Sequence, residues 1–173
     1  MKTTTRFIAI AIAALALPAQ AHITLEQASA PAGAYQKLTF RVGHGCDGSA
    51  TKALTVTLPD SVIGAKPMPK ALWNVSTVDA RLATPVESHG KTIVSAVREV
   101  TWQGEPLPDA QYDEFSMQVK LPATPGKLYF KVAQVCQLGR MDWDQVPAGA
   151  DATLKAPAPA LELLPAAAPG HVH

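Results

Sequence analysis

Phe115-Ser116-Met117-Gln118-Val119-Lys120-Leu121 alternates apolar and polar side chains without a break. A β-strand sends successive side chains to opposite faces, so Phe115, Met117, Val119 and Leu121 line one buried face and the polar residues the other. Pro122 to Gly126 then turns the chain, and Leu128, Phe130 and Val132 resume the alternation along a face that leads to Cys136. The same pattern runs backwards along the sequence. Leu38, Phe40 and Val42 alternate with Lys37, Thr39 and Arg41, and Leu54, Val56 and Leu58 precede a turn at Pro59-Asp60. Trp73 to Leu82 and Lys91 to Trp102 are expected as strands flanking a turn near Ser88-His89-Gly90. Lys66-Pro67-Met68-Pro69-Lys70 cannot be a central strand, because each proline removes a ladder donor. Gly104 to Asp109 is expected as a loop. No segment has a helical apolar period, and no internal repeat is visible. The expectation is an all-β fold: an antiparallel β-sandwich of about seven to eight strands, immunoglobulin- or cupredoxin-like.

The ends read differently from the middle. Met1 to Ala21 has the three parts of a cleavable export signal: Lys2 and Arg6, an apolar run from Phe7 to Leu17, and Ala19-Gln20-Ala21 after Pro18. The run is too short to cross a bilayer comfortably, which weighs against a retained anchor, and no second run is long enough to span. The expected product is exported, periplasmic or secreted, and begins at His22. Its sandwich domain is expected to run from residue 22 to 147. From 148 to 173 Ala and Pro dominate, so that stretch is expected to be a disordered tail, interrupted by Leu161-Glu162-Leu163-Leu164 and ending His171-Val172-His173. The full chain of 173 residues carries 15 basic and 14 acidic side chains. Loss of the leader's two basic residues leaves a net charge of about −1, and no basic stripe marks a nucleic-acid face.

A protein that starts at His22 presents an α-amine and a ring Nδ1 able to close a chelate on one metal ion. An amine titrating near ~8 and an imidazole near ~6.5 both give up their protons readily to a metal at neutral pH. Nitrogen donors in a tetragonal arrangement suit Cu(II), which tops the divalent affinity order. His44, between Gly43 and Gly45, is a second candidate ring ligand or a hydrogen-bonded turn residue. Asp113 and Glu114 at a strand start are candidate oxygen ligands or ordinary strand-end charge; by alternation Asp113 shares a side with Gln111 and Phe115. Trp143, between Asp142 and Asp144, is a core aromatic or a ring that shields a metal from water. Met68 could offer a soft sulfur but is better explained by packing. His89 is expected in a turn; His171 and His173 are either an accessory metal catcher or ordinary tail residues. Cys46 and Cys136 are either one disulfide or two thiolate ligands; export and the absence of CxxC spacing favour the disulfide. Hydrolase, zincin and phosphate-loop signatures are absent.

Several separated motifs occur together: His22-Ile23-Thr24-Leu25, Phe40-Arg41-Val42-Gly43-His44-Gly45-Cys46-Asp47-Gly48-Ser49, Lys66-Pro67-Met68-Pro69, Leu107-Pro108-Asp109 with Tyr112-Asp113-Glu114-Phe115, and Gln134-Val135-Cys136 through Trp143. In this order they resemble the YcnI-like domain family across nearly all of residues 22 to 147. The resemblance implies an exported β-sandwich that binds Cu(II) through a single-histidine brace, with the N-terminal histidine giving amine and ring nitrogen, a glutamate adding an oxygen and a tryptophan lying close. Carried over, the histidine is His22 and the tryptophan Trp143. Gln111 stands where the glutamate is expected, so Asp113 or Glu114 would have to replace it; His44 has no counterpart and is an additional candidate. Association with periplasmic copper chaperones of the PCuAC type implies copper trafficking. The expected function is to hold Cu(II) and buffer or deliver it, without catalysis. The alternatives are a copper-dependent oxidative enzyme resembling a lytic monooxygenase, and a metal-free sandwich that binds a protein partner.

Overall fold

The structure is a computed structural model and describes residues 22–149 and 153–166. The expected signal peptide and the terminal His171-Val172-His173 lie outside the described residues. In chain order the strands are β1 (Thr24–Leu25), β2 (Ser29–Pro31), β3 (Tyr35–Val42), β4 (Thr51–Thr57), β5 (Ile63–Pro67) and β6 (Trp73–Ser88). They continue as β7 (Lys91–Leu107), β8 (Asp113–Lys120), β9 (Gly126–Tyr129), β10 (Lys131–Cys136), β11 (Arg140–Trp143) and β12 (Ala160–Leu164). Among the described residues there is no helix, and none is long and apolar enough to cross a membrane.

The alternating runs do what their period dictates. Strand β8 pairs antiparallel with β3, setting Phe115 opposite Phe40 and Met117 opposite Leu38, all fully or almost fully buried. This pair is the centre of a four-stranded sheet in the order β1-β3-β8-β5. Strand β5 lies at its edge, where the Pro67 ring can be tolerated. The facing sheet has the order β11-β10-β4-β7-β6. Its register stacks Val132, Val56 and Val100 across three strands, and Gln134, Leu54 and Trp102 beside them. The two inner faces meet in one core, where Phe115 takes the edges of Trp73 at 4.9 Å and Trp102 at 5.7 Å between centroids. Each such aliphatic or aromatic side chain contributes roughly 1.5–3 kcal/mol by leaving water.

Twelve strands replace the seven to eight expected, for two reasons. The first is that short strands with two to five residues show no measurable period. The second is the C-terminal stretch, expected as a disordered tail from 148. Its residues 160–164 form β12, the middle strand of a third sheet in the order β2-β12-β9. Leu161 and Leu163 are buried while Glu162 between them points outward toward Lys127 at 4.0 Å. Ala and Pro dominate the composition there, but the strand itself contains no proline, and alternating leucines decide its fate. The domain therefore continues past Pro147.

Strands β6 and β7 form a long hairpin that exceeds the expected limits at Leu82 and Trp102. Its turn falls where the sequence indicated: His89 and Gly90 have φ of 50° and 71°, the pair of positive angles that a two-residue type I′ turn requires. Register shifts between Val78 and Asp79 and between Arg81 and Val86 bend the arm. Its far half packs Leu82 and Ala96, flanked by Val86 and Ile93, against Ile63 of β5 in a small separate cluster. The expected loop at Gly104 is strand instead; any side chain there would overlap the backbone of Leu72 and Trp73.

Candidate metal centre

Three chain segments converge on the indole of a fourth. Trp143, the last residue of β11, is only 2% exposed and faces the core opposite Val132 of β10. The His22 ring meets it edge-on, with centroids 5.7 Å apart and planes at 61°. The His44 ring meets it too, at 5.8 Å and 75°. His22 immediately precedes Ile23, which is 2% exposed and anchors this segment in the core. His44 follows the end of β3. The two histidines are thus delivered by the segments flanking the paired strands β1 and β3.

The His44 loop is held from several sides. Gly45 N–H donates to Asp109 Oδ1 at 2.8 Å, and a Cβ on Gly45 would overlap the Ser49 carbonyl, so only glycine fits. Cys46 and Ser49 exchange backbone hydrogen bonds across the following turn. Cys46 forms a disulfide with Cys136, which settles the two readings of the cysteines and ties the loop to the end of β10 across 90 residues of sequence. His44 Nδ1 lies within hydrogen-bonding distance of Gly45 O. A carbonyl oxygen can only accept, so Nδ1 is the donor in that bond.

Gln134, fully buried on β10, joins the indole to the His44 loop. Its Oε1 accepts from Trp143 Nε1 at 3.0 Å, and its Nε2 donates to His44 O at 2.7 Å and to Thr51 Oγ1 at 2.8 Å. Gln134 was not singled out from the sequence. The signal was present: a polar residue stands at an inward position between Val132 and Cys136, where an apolar one is the default.

The expected oxygen ligands have other engagements. Asp113 is bound to Lys70 Nζ at 2.6 Å and accepts from the Glu114 backbone at 2.8 Å. Glu114 pairs with Arg41 at 3.1 Å, and Arg41 also reaches Glu26 at 3.1 Å. Their opposite orientations follow from the register, which sets Asp113 across from buried Val42 and Glu114 across from exposed Arg41. Gln111 closes a turn through its backbone bond to Pro108 O. Met68 is exposed in its loop, and His89 lies in the hairpin turn hydrogen-bonded to Tyr35 Oη at 2.9 Å. Among the described residues no group of three or more His, Cys, Asp or Glu side chains is arranged to hold a metal. What the structure brings to the indole is two imidazoles, those of His22 and His44. A shallow cleft of about 300 Å³ opens beside His22, walled on its other side by Pro157 to Ala160.

Comparison with known proteins places the chain in a family. No curated protein matches the chain. A solved structure of an uncharacterized protein from Nocardia farcinica, described as revealing an immunoglobulin-like fold, is similar at 28% identity. The match covers 82% of this chain and 97% of that one, with a TM-score of 0.63. The model of a domain of unknown function, DUF1775, matches residues 22–163, reaching through β12 almost to its end. The chain belongs to the DUF1775 family, the YcnI-like domains, and carries its immunoglobulin-like β-sandwich.

Proposed function

We propose that this protein is an exported copper carrier that takes up Cu(II) at its processed N-terminus and buffers or delivers it. After cleavage behind Ala21, the His22 amine and Nδ1 form a chelate, and His44 supplies a second ring nitrogen. One observation carries the proposal: His22 and His44, 22 positions apart in sequence, stand edge-on to the same buried indole at 5.7 and 5.8 Å. Two imidazoles on one aromatic platform are a poor use of a core face unless the rings have a ligand. The donor chemistry fits Cu(II), which favours nitrogen ligands in tetragonal geometry. Asp113 and Glu114 remain candidates for an oxygen donor, at the cost of their ion pairs with Lys70 and Arg41. Trp143 would keep water from one side of the ion.

The immunoglobulin-like sandwich supports a binding role over an enzymatic one. The copper would then be cargo, passed on to a periplasmic chaperone of the PCuAC type. Cu(II) titration of the chain beginning at His22, followed by EPR, tests this. Stoichiometric binding with nitrogen hyperfine structure is expected. No binding would return the protein to a metal-free partner-binding sandwich, and peroxide-dependent polysaccharide cleavage by the loaded protein would make it an oxidative enzyme.

A further inference from the structure

Gln134 occupies a position where the strand pattern calls for an aliphatic side chain. It pairs across the sheet with Leu54 on one side and Met141 on the other, and it is fully buried. An amide there must be satisfied, and it is: one bond to Trp143, one to His44 and one to Thr51. The partners fix its orientation. Indole N–H can only donate and the His44 carbonyl can only accept, so the oxygen must face Trp143 and the nitrogen His44. One rigid planar group therefore holds the indole with one end and the backbone of His44 with the other. The disulfide and Asp109 restrain Cys46 and Gly45, but Gln134 restrains His44 itself.

We propose that Gln134 is the positioning residue of the copper site, setting the His44 ring against Trp143 so that its nitrogen meets an ion already held by His22. This rests on the copper reading above. The amide does not touch the metal; it acts through the loop carbonyl and the indole. Loss of such an outer partner typically lowers metal affinity by about 10- to 100-fold.

The test compares Gln134→Met, which roughly keeps volume and removes all three bonds, with Thr51→Val, which removes the bond that reaches neither His44 nor Trp143, together with the weak contact of Thr51 Oγ1 to Cys136 Sγ. Gln134→Leu, which matches the aliphatic default of this strand face and likewise removes all three bonds, is the second variant if Gln134→Met does not fold. Two readouts are taken. In the metal-free protein, an NMR cross-relaxation signal links the His44 ring to the Trp143 indole. With Cu(II) added, EPR counts the coordinated nitrogens. In Gln134→Met the ring contact is expected to vanish, one imidazole nitrogen to be lost and affinity to fall about 10- to 100-fold, while Thr51→Val keeps parental spectra. An unchanged ring contact and unchanged nitrogen count in Gln134→Met would overturn the proposal while leaving the copper reading intact. Failure of the parent to bind Cu(II) would overturn the copper reading, whereas the metal-free ring contact still decides whether Gln134 positions His44.

Discussion

The rings of His22 and Trp143 lie 5.7 Å apart and inclined at 61°, although 121 positions separate them in the sequence. The contact joins the segment leading into the four-stranded sheet to the edge strand of the five-stranded sheet facing it. It makes the first residue of the expected mature chain part of the core's end wall rather than a loose terminus.

His44→Ala removes one ring from this wall and leaves the loop backbone bonded to Gln134 and Asp109. The fold is expected to persist, with an unchanged circular dichroism spectrum. Cu(II) stays on His22, but one nitrogen disappears from the EPR spectrum. Affinity is expected to fall by at least the ~10-fold that loss of an outer-shell partner causes. Equal affinity in isothermal titration would assign His44 to the turn alone.

Removing the disulfide with Cys46→Ala and Cys136→Ala frees a loop of 90 residues in the unfolded chain. The chain-entropy model puts the stability loss at about 4 kcal/mol, read from denaturant unfolding. The same variant is expected to weaken the contribution of His44 to copper binding, since Cys46 is two residues further along its loop. The His22 chelate should survive.

The third sheet makes a prediction opposite to the expectation from composition. Leu163→Ala, at a residue 2% exposed, is expected to cost about 2–5 kcal/mol. Ending the chain at Pro147 leaves β2 and β9 without their shared neighbour and should lower Tm sharply. A truncated protein as stable as the full one would return residues 153–166 to a passive tail.

Arg98 is a buried cation 8% exposed, donating to the carbonyls of Leu58, Pro59 and Val62 with Asp60 3.8 Å away. Burial lowers its pKa, and Asp60 offsets this only in part. A base whose folded pKa lies below its unfolded value weakens folding wherever it is charged, and that loss is relieved only as pH rises through the folded pKa. The window is alkaline, so Arg98 adds no slope to stability between acid and neutral pH. Arg98→Ala takes the donor from three carbonyls, of which Pro59 O still accepts from Val62 N–H, and is expected to cost roughly 3 kcal/mol, with Arg98→Lys recovering part, because an ammonium cannot span the same fork. Equal melting of both variants and the parent would refute this.

The core strands were legible because β3, β4, β8 and β10 alternate long enough to declare a period. Strand β12 was not, since its alternating residues lie inside an Ala/Pro-rich stretch that mimics a linker. The disulfide could be read from export and cysteine spacing. The meeting of His22, His44 and Trp143 could be read only as separate candidates, because their approach depends on how two sheets face each other. Asp113 and Glu114 looked like ligands because nothing in the local sequence reveals Lys70 or Arg41 as their partners. Gln134 was read only as part of a family motif: Val132 and Cys136 carried the alternation, and the inward polar exception between them was not recognised as a site residue.

The central claim is that cutting before His22 creates the copper site. The direct measurement is an EPR-monitored Cu(II) titration of the chain starting at His22, beside the same chain with one alanine added in front. The extension keeps both imidazoles and the fold but turns the amine into an amide, which must lose a proton before it can bind. A large drop in affinity and loss of the amine nitrogen from the spectrum are expected. Identical affinity and identical spectra for the two chains would contradict the account.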